Sequence, residues 1–307
     1  MKYLVTGGAG FIGSHLIELL INNNHNVACI DNLSTGYISN LSSVIDKIEF
    51  YDDKIEFFDL NKLKNISAII HLAAQPSVPI SINKFFDSSS SNLLGTIKVI
   101  DFCRLNHVPL VYASSSATYG NLEFGNDETK IIDLLSPYAL DKYAMELYSK
   151  MAHKLYQLSS IGLRFFNVYG PRQDASSPYS GVISIFADKL LKGENITING
   201  GYQTRDFIYV KDVINIIYKA IILSSNQPIC DISNVLTGNS ITIDKLASKM
   251  MKITDKNVNI IYKKLDLGDP VQSNGSTDKM VKLFRVDTNK FIPLETGLRS
   301  TIKNLIQ

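Results

Sequence analysis

The chain has 307 residues, 45% of them hydrophobic and 20% charged, with a formal net charge of +2. That length is large for one core and points to one large domain or two coupled ones. The composition excludes a disordered chain, and the near-neutral charge excludes a broad basic surface for nucleic acid.

Cys29, Cys103 and Cys230 are odd in number, far apart and without CxxC spacing. They read as buried thiols in a reducing compartment, and the five histidines form no ligand-like cluster, so no metal site is expected. No run approaches the roughly 18 apolar residues needed to span a bilayer. Residues 1–5 already read as strand, leaving no room for a signal peptide, so the expected location is the cytoplasm, away from membranes.

In chain order, candidate strands fall at 2–6, 26–31, 56–59, 68–72, 110–113 and 160–164, with helical stretches near 14–23, 92–105 and 137–157. This repeated alternation predicts an α/β fold, a Rossmann-type doubly wound parallel sheet. Several strands are nearly continuous apolar runs, as expected when helices cover both faces. The alternation loosens after about Asn167. A helix near 182–192 follows, then a strand and helix over 205–222 returning to the sheet, a further strand near 229–233, and helices near 243–252 and 297–306. The reading is a dinucleotide domain over 1–166, rejoined by 205–235, with 167–307 forming mainly a smaller C-terminal α/β substrate domain.

The first strand runs into Gly7-Gly8-Ala9-Gly10-Phe11-Ile12-Gly13, and a helix follows. Gly7, Gly10 and Gly13 make a GxxGxxG pattern in a strand–turn–helix context. Glycines allow the tight turn and a close backbone approach, while the helix N-terminus offers free N–H groups to a pyrophosphate. The second strand ends at Asp31, which can accept from adenosine ribose hydroxyls and would repel a 2′-phosphate, favouring NAD over NADP. Asp59 closes the third candidate strand; it receives the adenine amino group or is a solvated turn residue.

Downstream, Ser114-Ser115-Ser116-Ala117-Thr118-Tyr119-Gly120 follows an apolar strand, and Tyr138-Ala139-Leu140-Asp141-Lys142 opens a helix behind Ser136-Pro137. Tyr-x-x-x-Lys spacing puts both side chains on one helix face. A nearby ammonium is expected to lower the tyrosine pKa and make the phenol a usable base. The spacing arises often by chance; its weight comes from the glycine loop, acidic second strand and serine run beside it.

With these elements the sequence resembles the extended short-chain dehydrogenase/reductases, specifically the NAD-dependent nucleotide-sugar epimerase/dehydratase group. The resemblance also rests on Asp31–Gly36, His71-Leu72-Ala73-Ala74-Gln75, Asn92-Leu93-Leu94-Gly95-Thr96, Leu163–Gly170 and Thr204–Val210, and covers nearly the whole chain. Within the group it looks most like UDP-N-acetylglucosamine and UDP-glucose 4-epimerases. The resemblance implies Tyr138 as base, Lys142 as its activator and nicotinamide-ribose anchor, and Ser115 as bridging hydroxyl. It implies that Phe11, Ile12, Asn32, Ser34, Thr35, Gly36, Leu60, Leu72, Ala73, Ala74, Asn92, Tyr138, Lys142 and Phe165 join Gly7, Gly10, Gly13, Asp31 and Asp59 around NAD. On the substrate side it implies Ser77, Ser115, Ser116 and Tyr138, with Asn167 and Arg205 on the diphosphate and Ile198 by the uracil. Ser273 either limits pocket size or is a solvated loop serine.

The implied reaction is 4-epimerisation through a 4-keto sugar, without net redox change. The 4,6-dehydratases carry Thr-Asp-Glu where this chain has Ser115-Ser116-Ala117, which lacks the acid and base that dehydration needs. Two arginines that relatives often carry in the C-terminal region correspond here to Asp266 and Val271, with Lys263 or Lys264 as point-charge substitutes. A 4-keto-sugar reductase and a non-catalytic nucleotide-sugar binder are the competing readings. A homodimer through the helices near 92–105 and 137–157 is implied by resemblance alone.

Overall fold

The computed structural model describes residues 1–176, 180–265 and 269–306; Asp266, expected at an arginine position, lies outside them. The strands are β1 (Lys2–Thr6), β2 (Asn26–Asp31), β3 (Glu49–Asp52), β4 (Ala68–His71), β5 (Leu110–Ser115), β6 (Ser160–Phe165), β7 (Asn167–Tyr169), β8 (Ile196–Asn199), β9 (Thr204–Tyr209), β10 (Cys230–Val235), β11 (Ser240–Thr242) and β12 (Ile260–Lys263). The helices are α1 (Phe11–Asn22), α2 (Val78–Asn83), α3 (Phe85–Ser89), α4 (Gly95–Asn106), α5 (Pro137–Tyr156), α6 (Val182–Lys192), α7 (Val210–Asn226), α8 (Ile243–Thr254), α9 (Asp278–Phe284) and α10 (Leu294–Ile306).

Seven strands form one sheet in the order β10-β6-β5-β4-β1-β2-β3. β1 pairs in parallel with both β2 and β4, for example Leu4 with Ala28 and with Ile69. Strand order therefore reverses at β1 and β4, the switch point at which doubly wound sheets bind ligands beyond their strand C-termini. The Rossmann-type expectation is met.

Two expected elements move. The third strand is Glu49–Asp52, paired with Ala28–Asp31, not 56–59. Around 56–59 the chain turns, with Phe57 and Phe58 N–H donating to Lys54 O. The apolar spacing there comes from a turn that buries Ile55, Phe58 and Leu60 in the core, not from a pleated strand. The strand opening 205–222 does not return to the large sheet. β9 pairs with β11 and β7 in a separate three-stranded sheet; β10 is the strand that returns.

The chain divides into two compact units: Met1–Ser115, Ser136–Arg164 and Ile214–Ser233 in one, Ser116–Leu135, Phe165–Val213 and Asn234–Gln307 in the other. Segment 116–135, read as part of the first domain, folds with the second unit because Tyr119 and Gly125 bond to Asn234 and Asn274 there. The first unit's core gathers Leu4, Ile30, Ile69, Leu110 and Met145. The second's gathers Phe186, Leu190, Leu246, Met250 and Leu298. α8 shows why such helices form: Ile243, Leu246, Ala247 and Met250, at i, i+3, i+4 and i+7, are its buried face. Each fully buried Leu or Ile contributes about 1.5–3 kcal/mol. Among the described residues no helix is long and apolar enough to cross a membrane, and no His/Cys/Asp/Glu group is arranged to hold a metal.

Candidate active site

β1 ends where Gly7 takes φ +71°, a left-handed backbone that side chains resist. A Cβ on Gly7 would sit 2.7 Å from Ala73 N, and one on Gly13 would collide with Gly7 O. The three glycines thus pack the loop against β4's exit and α1 against the loop. Gly10 caps α1 with no side-chain hydrogen bond. That leaves the first-turn N–H groups, Phe11 and Ile12 among them, for an anionic group at the positive end of the helix. The cradle fits a dinucleotide pyrophosphate.

Asp31 is buried at the end of β2, and its two oxygens accept from Ala9 N and Leu33 N, each at 2.9 Å. It therefore fastens the glycine loop to the second strand and keeps lone pairs for ribose hydroxyls. Burial pushes its carboxyl up, opposed by these N–H bonds. Asn32, Ser34 and Thr35 follow exposed, while Gly36 is buried against Ala9, where a Cβ would sit 2.8 Å from Ala9 C. Asp59 is an exposed turn cap, taking Asn61 N at 3.1 Å. Leu60's side chain packs in the core, and its carbonyl accepts from Leu63 N at 3.1 Å.

Leu72, Ala73 and Ala74, partly accessible, leave β4 through a buried relay. Ala73 N–H donates to Thr6 Oγ1 at 3.2 Å, Thr6 Oγ1 lies 2.7 Å from His71 Nδ1, His71 Nε2 lies 3.1 Å from Thr96 Oγ1, and Thr96 Oγ1 donates to Asn92 O at 2.7 Å. One proton arrangement satisfies all of it: His71 neutral, Nε2 protonated, Nδ1 accepting from Thr6. Burial, then the charge of Lys142, holds His71 down to about 3.

Unfolded, His71 titrates near its ordinary 6.5. Its stabilisation is therefore complete above that pH and is lost on acidification, by about 1.4 kcal/mol per pH unit. Asp206, pushed up to about 6 by burial, slopes the opposite way between about 6 and 3.8. The clean measurement is thus the stability gap between wild type and His71→Asn in urea at pH 7.5, 5.5 and 4.5. The gap should close by about 1.4 kcal/mol per unit below 6.5; a constant gap would refute a buried neutral histidine.

Asn92 is fully committed: its Oδ1 accepts from Gln75 N at 2.7 Å, and its Nδ2 donates to Gln75 O and Asp141 Oδ2, both at 3.2 Å. It shapes the 72–75 loop by these bonds. Ser77 Oγ caps α2 by accepting from Ile80 N at 3.2 Å.

α5 begins with Ser136 Oγ accepting from Ala139 N and Pro137 in the first turn, a strong start signal. That places Tyr138 and Lys142 one turn apart. Tyr138 is hydrogen-bonded to Ser115 at the end of β5. Lys142 is buried, donates to Ala113 O at 2.8 Å, and holds its Nζ 5.7 Å from the Tyr138 ring centre. The expected lowering of the tyrosine by lysine is overturned. Burial raises Tyr138 above 10, the Ser115 bond opposes it, and Asp141 adds to the rise. Burial also pulls Lys142 down to about 8, opposed by Asp141. Desolvation is the largest influence on the phenol.

In the second unit, Asn167 Nδ2 donates to Asp206 O at 3.1 Å and to Ser273 Oγ at 3.3 Å. Arg205 is tied to Asp269 at 2.7 Å and to Thr204 O at 2.8 Å. Ser116 opens the 3-10 turn Ser116–Tyr119, and Phe165 is buried at the end of β6. Ile198, expected by the uracil, packs its side chain in the second core from β8. Lys263 and Lys264 line an open concavity with Gly200, Tyr202 and Tyr262.

A parallel sheet reversing at a glycine cradle, with a Ser–Tyr–Lys set beyond β5, defines a Rossmann-type enzyme with a dinucleotide cofactor. The profile of the NAD dependent epimerase/dehydratase family matches residues 3–234. The chain belongs to that family, and its cofactor is NAD. A putative UDP-glucose 4-epimerase of Methanocaldococcus jannaschii is 42% identical over 250 residues, 79% of each chain. The UDP-N-acetylglucosamine 4-epimerase of Methanobrevibacter ruminantium, solved with UDP-N-acetylmuramic acid, has a TM-score of 0.91 at 36% identity, covering 99% of this chain and 98% of that one. The UDP-glucose 4-epimerase of Thermotoga maritima, solved with UDP-glucose, has a TM-score of 0.92 at 32% identity, covering 100% and 99%.

Proposed function

We propose that this protein is an NAD-dependent 4-epimerase of a UDP-hexose, interconverting UDP-GlcNAc and UDP-GalNAc or UDP-Glc and UDP-Gal through a transient 4-keto sugar. The observation that carries the reading is the Ser115–Tyr138 hydrogen bond with Lys142 buried one turn further along α5. Tyr138 takes the proton of the sugar 4-hydroxyl, Ser115 orders that transfer, and Lys142 anchors the nicotinamide ribose and supplies positive charge. Bound NAD supplies hydride acceptance and return at C4, and a charged ring whose field favours phenolate. Ser116 and Ala117, next to Ser115, offer no acid or base for dehydration. Asn167 and Arg205 hold the diphosphate, and Ser273, being small, admits an N-acetyl group. We further assign a cytoplasmic homodimer. Leu140, Leu147, Met151 and Leu155 form an exposed apolar stripe on α5, the kind of face a second copy covers.

Incubating the purified protein with each UDP-hexose, without added reductant, and separating the products tests this reading. Interconversion of at least one 4-epimer pair is expected; inert behaviour towards every UDP-hexose, or stoichiometric consumption of NADH, overturns it. Sedimentation of the same sample should give twice the chain mass, and a monomer at micromolar concentration excludes the dimer.

A further inference from the structure

Asn234, at the end of β10, is fully buried and every polar atom of its amide is used. Tyr119 O–H donates to its Oδ1 at 2.7 Å, and its Nδ2 donates to Gly125 O at 3.1 Å and Ser276 O at 3.2 Å. Two carbonyls and a hydroxyl fix which end of the amide is which, since carbonyls only accept. Its backbone N–H donates to Asp127 Oδ2 at 2.6 Å. Around it, Gly125 N donates to Asn274 O at 2.8 Å and Ser276 N to Gly125 O at 3.0 Å, so segments 116–127 and 273–276 are bridged at Gly125 and Gly275. The bridge is tight: a Cβ on Gly275 would lie 2.8 Å from Gly125 O and 3.3 Å from Asn234 Nδ2.

Each bridged segment carries one serine read above as facing the sugar. Ser116 begins the turn that Tyr119 closes. Ser273 precedes Asn274 and is held by Asn167. We propose that Asn234 is a positioning residue that staples these two segments and thereby sets the spacing of Ser116 and Ser273, and with it the choice between N-acetylated and plain hexose. This rests on the epimerase reading for the identity of the ligand; the staple itself rests on the bonds alone. Aspartate cannot replace the amide, because its second oxygen would face two carbonyls. Every partner named belongs to the second unit, whereas the glycine cradle belongs to the first, so cofactor binding should be indifferent.

The test uses the NAD-loaded enzyme with Asn234→Asp and Tyr119→Phe. Steady-state kinetics with UDP-GlcNAc and UDP-Glc should show KM up about tenfold in Asn234→Asp and the ratio of kcat/KM for the two sugars shifted about fivefold. Tyr119→Phe should move both the same way by about twofold to threefold, and NAD affinity should stay within about twofold. Hydrogen exchange should rise together in 116–127 and 273–276. If Asn234→Asp does not fold, Tyr119→Phe decides alone. The proposal is overturned if KM and the sugar ratio stay at wild-type values in folded variants, or if only one of the two segments loses protection. Wild-type protein inert on every UDP-hexose would sink the epimerase reading instead, and hydrogen exchange would still decide the staple.

Discussion

Replacing Tyr138 by Phe should lower kcat/KM for a UDP-hexose by roughly 10²- to 10⁴-fold, the usual contribution of a positioned acid–base group, while NAD binding and the unfolding midpoint stay at wild-type values. The ring keeps its place in the first turn of α5, since Tyr138 N still donates to Ser81 Oγ at 3.2 Å. Only the hydroxyl bonded to Ser115 is removed. The wild-type pH profile carries the same chemistry. Tyr138 lies above its ordinary value, so the phenolate fraction and the rate should climb with pH through the neutral range. Lys142, pulled down to about 8, loses its ammonium above that pH, so the climb should bend over there. In Tyr138→Phe the rising limb should vanish. A variant retaining full activity removes the proposed base, and one that also loses NAD affinity makes Tyr138 a binding residue.

Legibility in the sequence followed the range of the interactions. Gly7, Gly10, Gly13 and Asp31 were readable because a strand, a turn and a helix start are local events with residue-type rules. Tyr138 and Lys142 were readable because a helical turn brings them together wherever the helix lies. His71, Asn234 and Glu146 were missed as organising residues because their partners are remote: Thr6 lies 65 residues from His71, and Tyr119 lies 115 from Asn234. One signal was available. Arg164 stands inside the apolar run Ile161-Gly162-Leu163-Arg164-Phe165, and a charge in a buried strand demands a counter-charge. The direction of the Tyr138 shift is not legible because spacing reports proximity, and desolvation depends on what the rest of the fold places around the phenol. The strand expected at 56–59 fails for a related reason: a turn dipping into the core leaves a short apolar cluster that resembles a strand in the sequence.

Removing Glu146 should be the most destabilising single change outside the glycine cradle. Its carboxylate, fully buried, accepts from Arg164 Nε at 2.7 Å, Arg164 Nη2 at 2.6 Å and Ser114 Oγ at 2.6 Å. These bonds join β5, β6 and α5, and Glu146 follows Tyr138 and Lys142 at the same four-residue interval on α5. In Glu146→Leu the Arg164 guanidinium stays buried without its counter-charge, which costs about 3–5 kcal/mol. Against a total stability of about 5–15 kcal/mol, that is a large share. Arg164→Leu alone should cost a similar amount by stranding the carboxylate. The double variant should recover much of the loss, since two matched apolar side chains need no desolvated charge. Urea unfolding of all four proteins gives the coupling energy directly. Losses below about 1 kcal/mol in both single variants would mean that water reaches the pair. Activity should not recover with stability in the double variant: Ser114 loses its acceptor there too, and its neighbour Ser115 carries the hydrogen bond to Tyr138. Stability restored while kcat stays low would place the ion pair beneath the proposed catalytic hydroxyls as well as within the core.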